Sequence, residues 1–376
     1  MTEARRRAAL LVDARQYEHA RPELARAMAE DPDDGAAFLV LAILEQRVGN
    51  HEESLAALDR AAALGVAPTT HLATRMTTLY HARRFPETVA CAEELLRHDP
   101  QHLQAHILLA QILGGEGRAD YARARGHAEH AVSLAPESDH AHYALGQVLA
   151  SAYGRWGARA ALPRLQYAVR LKPDDPANLN ALGVVDLTLG RSRRALRSFA
   201  DALAIDPSID VVAFNVPLAM LGLARRAGFV ITVLFLAAVV AGVALAPRRL
   251  PPTPGAGWLA HVVAVLVALA VVGMVVTWLV RAVPPLMRPA ARRAWRRDPV
   301  LSPLVASSAL LAALAVLMLA VPLPNGVQVP PLVLLGLVVR VTANLVVRSR
   351  TARYRRERHQ ERARLWRPPP RERPGD

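Results

Sequence analysis

The chain has 376 residues, 52% of them apolar, and a formal net charge of +14 at pH 7. That charge belongs to one part only: after residue 210 there are 22 arginines against five acids, while residues 1–210 carry a small acidic excess. Basic residues that flank apolar runs point to lipid headgroups before nucleic acid, and a single cysteine, Cys91, excludes an internal disulfide.

From the start, MTEARRRAALLVDARQYEHA is basic but has no apolar core, and Asp13 interrupts it, so no signal peptide is expected. Lys172 is the only lysine. With abundant Ala, Gly and Pro, that reads as the coding bias of a GC-rich bacterium rather than as a choice for bidentate phosphate contacts. A fixed period then emerges. Prolines that close a helical stretch are placed at Pro32, Pro68, Pro100, Pro136, Pro173 and Pro207, at intervals of 36, 32, 36, 37 and 34 residues. Small residues stand five before four of them: Ala27, Ala131, Ala168 and Ala202. A helix that packs closely against a neighbour needs such a residue, and proline stops it by removing a donor and crowding the preceding turn.

In ANLNALGVVDLTLGRSRRALRSFADALAIDP (177–207), Leu182-Gly183, Gly190, Ala195, Phe199, Ala202 and Pro207 recur at a fixed spacing. Tyr17, Ala20, Leu24, Ala27 and Pro32 repeat it early in the chain, as do Leu145-Gly146, Ala161, Leu165, Ala168 and Pro173 further on. This pattern resembles the tetratricopeptide repeat (TPR) family, with six units over about residues 3–208 and a repeat domain at 1–210. Three departures are visible. The early aromatic of the first helix is present as Phe38 but mostly absent elsewhere, and Arg75-Met76 replaces Leu-Gly in the third unit. Gly126 and Pro163 should shorten or bend second helices.

The resemblance implies an all-α fold of stacked helix pairs with an elongated groove that holds a segment of a protein partner. By the family's spacing, His140, Tyr143, Gln147, Asn180 and Val184 should face that groove. A clamp for a terminal carboxylate is not expected, because Lys172 ends a second helix and Asn178 and Asn180 lack basic company.

Residues 211–228 read as a helix that caps the last repeat, interrupted at Pro217. Four apolar segments follow, at 229–246, 257–280, 302–321 and 331–347. A bilayer core of about 30 Å needs roughly 20 apolar helical residues. The first three qualify directly, and Trp258 and Trp278 stand where interfacial rings belong. The fourth contains Arg340. Its five leucines and six valines favour insertion by about 3–7 kcal/mol, against about 2.5–3.5 kcal/mol for a central arginine. Arg340 can also snorkel to the headgroups. The expected fold is therefore a TPR-like repeat followed by four transmembrane helices.

Positive residues stay on the cytoplasmic side. Between the second and third segments lie Arg281, Arg288, Arg292, Arg293, Arg296 and Arg297, and eleven arginines follow residue 347, whereas VPLPNGVQVPP carries no charge. This places both termini in the cytoplasm of a multi-pass inner-membrane protein. Arg292, Arg293, Trp295, Arg296 and Arg297 would anchor it on anionic lipid, and the tail 348–376 is basic and cytoplasmic.

Histidines cluster as His98, His102 and His106, then His127 and His130, then His140 and His142, with pairs at ligand spacing but no ordered metal motif. GGEGRAD (114–120) lacks the Lys-Ser/Thr of a phosphate loop. No catalytic constellation, metal site, cofactor or nucleic-acid partner is expected. The function expected is recruitment of a protein partner to the membrane. Its rival is a regulatory subunit of a transporter or channel, for which Arg340→Leu, and not groove substitution, would abolish function.

Overall fold

A computed structural model describes residues 2–115, 120–152, 154–208, 210–245 and 283–285, together with Val338, Val341 and Leu345. Among these residues there are thirteen α-helices and no strand. In order they are α1 (Glu3–Asp13), α2 (Tyr17–Glu30), α3 (Gly35–Val48), α4 (His51–Ala63), α5 (Pro68–His81), α6 (Phe85–His98) and α7 (Leu103–Gly115). Then come α8 (Tyr121–Leu134), α9 (Asp139–Ser151), α10 (Arg155–Leu171), α11 (Pro176–Thr188), α12 (Ser192–Ile205) and α13 (Asp210–Leu245). The first twelve form six consecutive pairs. Their contacts gather into two compact units, one holding α1–α10 and the other α11–α13.

In the first unit each odd helix packs on the even helix that follows, and each even helix packs on the next odd one. Alanines make this spacing possible. Ala8, Ala20, Ala27, Ala42, Ala61, Ala92, Ala110, Ala128, Ala131, Ala144, Ala161 and Ala168 are all fully buried. Larger side chains such as Leu58, Met76, Leu95, Leu109 and Leu165 fill the volume between them. Met76 occupies the place where the pattern calls for glycine, and it does so without exposure.

The second unit shows the same packing in one pair. Phe199 is completely buried against Gly183, where a Cβ would collide with three atoms of the ring. Leu182-Gly183 and Phe199, matched in the sequence by spacing alone, are therefore two halves of one contact. Helix α13 touches both α11 and α12, so its first half takes the place that the next odd helix would take.

Several local expectations need correction. Pro68 does not close α4; it is the first residue of α5, where a missing donor is harmless. Gly65 ends α4 instead, in the left-handed region (φ +78°), with Val66 N–H donating back to Ala61 O at 3.1 Å. Pro163 does not shorten α10, which at 17 residues is the longest helix of α1–α12, and Gly126 lies inside a full-length α8. Nor does Pro217 interrupt α13, which runs unbroken for 36 residues. A proline removes one backbone bond, and burial of Ala158, Ala161, Leu165 and Ala168 outweighs that loss in α10, as the docking of Val216, Ala219, Met220 and Leu223 does in α13.

Helix α13 is also where the first apolar segment was expected. Among the described residues, one helix is long and apolar enough to cross a membrane, with its best window at Asn215–Val233. That window overlaps the docked half and ends five residues into the expected 229–246. The later segments, the arginine-rich loop with Arg292, Arg293, Trp295, Arg296 and Arg297, and the tail lie outside the described residues, apart from Val338, Val341 and Leu345. Those three are helical, exposed and spaced along one helical face.

A pair of opposite substitutions tests this packing. Gly183→Ala should destabilise by about 1–3 kcal/mol through overpacking against Phe199. Arg83 stands with φ +59° at the end of α5, and Arg83→Gly should stabilise by about 1 kcal/mol by removing a left-handed side-chain strain. Denaturant titration of the detergent-solubilised chain reads both.

Candidate functional site: a polar seam on the first helices of the repeats

The odd helices carry two kinds of face. One is aliphatic and turned into the core; the other is half-buried and holds uncharged polar groups that reach from one odd helix to the next. Gln46 of α3 donates from Nε2 to Thr77 Oγ1 of α5 at 2.7 Å. Tyr80 of α5 donates from its hydroxyl to Gln111 Oε1 of α7 at 3.3 Å. Both bonds join residues 31 apart, which is the repeat period less one helical turn. Gln147 of α9 has the place of Thr77 and Gln111, but α7 presents Gly114, packed on the neighbouring Val148, with no side chain to offer. Gln147 instead donates to Tyr143 Oη on its own helix at 2.6 Å.

The second unit repeats the theme by itself. Asn215 of α13, almost fully buried, donates from Nδ2 to Asn180 Oδ1 of α11 at 3.0 Å. A carboxamide offers two donors and an acceptor with two lone pairs, so each rung of this seam keeps hydrogen-bonding capacity of its own. Burial pushes the Tyr80 hydroxyl pKa up, with Arg83 opposing the shift, so the phenol stays a neutral donor. The ring stands edge-on to Phe85 at 6.0 Å.

Of the residues expected to face a groove, Tyr143 and Gln147 belong to the seam of the first unit, and Asn180 belongs to the Asn215 bond of the second. Val184 is half-buried on α11, and His140 is exposed in the first turn of α9 with Nδ1 at 4.0 Å from Asp139 Oδ2. Asn178 is 1% exposed, and Lys172 pairs with Asp175 at 3.4 Å. Gln46, Thr77, Tyr80 and Gln111 were missed in the sequence. The 31-residue recurrence of polar residues was the signal that could have found them.

The histidines resolve differently from a ligand set. His106 and His142 stand at matching positions, four residues past the residue that caps α7 and α9, where Phe38 stands in α3. They are the missing early rings. Each donates from Nε2 to a proline carbonyl in the preceding turn, Pro100 at 3.0 Å and Pro136 at 2.9 Å. His106 also meets His127 at 2.9 Å between Nδ1 atoms, and the His130 ring lies tilted beside it with centroids 4.4 Å apart. Because His106 Nε2 carries the proton for Pro100, its Nδ1 must accept from His127 Nδ1–H. Both nitrogens of His106 are thus engaged, and no group of three or more His, Cys, Asp or Glu among the described residues is arranged to hold a metal. Cys91 is buried, with burial pushing its thiol to about 11, and is inert as a nucleophile.

Burial, reinforced by the charges of His106 and Arg123, lowers the His127 pKa to about 4, and burial also lowers that of His106. The unfolded chain takes up the His127 proton near the ordinary value of 6.5, before the folded one does. The stability of this pair of helices is therefore greatest above pH 6.5 and falls as pH drops from there to about 4. Protection from hydrogen exchange across α7 and α8, with the intrinsic pH dependence of exchange divided out, should fall over that window, and His127→Gln should flatten the response.

No known family profile matches the chain, and no curated protein matches it. Solved structures do. A thermophilic TPR protein of Thermus thermophilus is 20% identical, with a TM-score of 0.43, over 50% of this chain and 99% of its own. YrrB, described as a TPR protein with an unusual peptide-binding site, is 20% identical, with a TM-score of 0.38, over 50% of this chain and 95% of its own. PilW, a type IV pilus biogenesis factor, is 15% identical, with a TM-score of 0.48, over 56% of this chain and 94% of its own. The helix pairs described above define a TPR-like, all-helical repeat.

Proposed function

We propose that this chain is a membrane-anchored interaction scaffold whose repeats hold a segment of a protein partner. The observation that carries this reading is the uncharged seam from Gln46 to Gln147. Half-buried carboxamides and phenols at a regular rise suit an extended or helical peptide, whose backbone offers a donor and an acceptor at every residue. The absence of charge from the seam favours recognition of backbone over recognition of acidic or basic side chains. His140, Tyr143, Gln147, Asn180 and Val184 are the contact residues proposed first, and Tyr80 and Gln111 join them.

Membrane anchoring is supported by the apolar second half of α13 and by the three later apolar segments. The arginine distribution supports a cytoplasmic repeat domain, with Arg292, Arg293, Trp295, Arg296 and Arg297 on the anionic inner leaflet.

Two experiments address these readings separately. Replacing Tyr80, Gln111, Tyr143 and Gln147 together with alanine should reduce cross-linked capture of the partner from mildly solubilised membranes at least tenfold while leaving the far-ultraviolet helix signal intact. Equal capture by the variant moves recognition away from the seam. Reporters that act only outside the cytoplasm should be silent when fused after residue 208 and active after residue 325, and activity after 208 would invert the topology.

A further inference from the structure

We infer that the arginine-lined end of the last repeat is a docking surface for anionic lipid headgroups. The inference rests on the membrane reading of α13 and adds to it a lipid contact made by the repeat itself.

Helices α12 and α13 run antiparallel. Ser192, the first residue of α12, lies against Gly222 of α13, where a Cβ would strike its hydroxyl oxygen, while the other end of α12 connects directly to Asp210 at the start of α13. The turn between α11 and α12 is therefore level with residues 222–226 of α13. Arg226 fixes that level by donating to Gly190 O, the carbonyl of the left-handed residue that ends α11.

Charge is unevenly distributed along this short unit. At the α11–α12 end stand Arg191, Arg193, Arg194, Arg197, Arg225 and Arg226, all exposed. Their acidic neighbours are Asp186, which is buried and pairs with Arg191 at 3.5 Å, and Asp201, exposed one turn past Arg197 on α12. At the opposite end, about 20 Å away along α12, are Asp174, Asp175 and Asp206, with Lys172 as the cation. Arg197 lies one turn further along α12 than the others, about 5 Å, a distance its stem can span.

The basic end is the end from which α13 leaves the repeat. Three residues beyond Arg226, a rise of about 4.5 Å, α13 exposes Phe229, Val230 and Val233 at 68%, 44% and 48%. Cationic groups thus meet apolar groups in the order and spacing in which a leaflet presents phosphates above hydrocarbon. A nucleic acid or a free phosphate would explain the arginines and leave the adjacent apolar belt without a partner. An anionic leaflet accounts for both.

The test reconstitutes the full chain in nanodiscs of phosphatidylcholine alone or mixed with phosphatidylglycerol and follows hydrogen exchange. Residues 189–197 should exchange several-fold more slowly in the anionic discs. Salt should remove the difference, because screening acts within about 10 Å at 0.1 M. Arg193→Gln, Arg194→Gln and Arg197→Gln combined should remove it too, with exchange in α5 and α6 unchanged. If residues 229–245 are protected but 189–197 exchange equally in both discs, the headgroup contact is wrong while the membrane reading survives. Unprotected 229–245 in both discs sinks the two together. Equal slowing by inorganic phosphate in neutral discs, or retained slowing in the triple variant, would assign the arginines to something other than a leaflet.

Discussion

A helix with one apolar face leaves that face in water until something covers it, and a pair of such helices covers only part. Every feature of the repeat region follows from that shortage. Within each unit, the fully buried alanines let helices approach their neighbours closely enough for the larger apolar side chains between them to close the gaps. Gly183 pushes the same logic furthest, giving up a side chain so that Phe199 can be seated whole. The chain ends its stack by the same rule. The exposed face of α11 and α12 is covered by the first half of α13, which buries Val216, Ala219, Met220 and Leu223 there.

Close packing on one side leaves the other side of each odd helix free to be polar without loss. Its polar groups are nevertheless not scattered. Gln46 with Thr77 and Tyr80 with Gln111 tie successive odd helices together across a fixed register, and the pattern stops where Gly114 supplies no side chain. Such bonds contribute about 1 kcal/mol each, little beside the apolar burial that holds the helices together. The histidines divide in the opposite sense. His106 and His142 each commit Nε2 to a backbone carbonyl and serve as rings in the packing.

One helix belongs to two environments. In α13, Asn215 and Gly222 are committed to the last repeat, Arg225 and Arg226 are exposed, and Phe229, Val230 and Val233 are bare apolar groups. No flexible joint separates these stretches, because helical hydrogen bonding continues through Pro217 and through the arginine pair. The orientation of α11 and α12 is therefore tied to the axis of the apolar helix.

Helical periodicity and the close-packing alanines are local properties, set by residues three or four apart and by one repeat of about 34, so the sequence alone determined the class of fold and its six helix pairs. It also determined that the arginines would gather beside apolar segments, since charge placement is composition read in order. Tertiary structure alone decided which prolines matter: Pro68 starts a helix, and Pro22, Pro163 and Pro217 are absorbed inside helices. It alone decided that His106 and His142 replace an aromatic ring, that Tyr80 reaches Gln111, and that Ser192 lies level with Gly222. Those contacts join residues some 30 positions apart whose partners are chosen by packing of the intervening helices, and no local rule connects them.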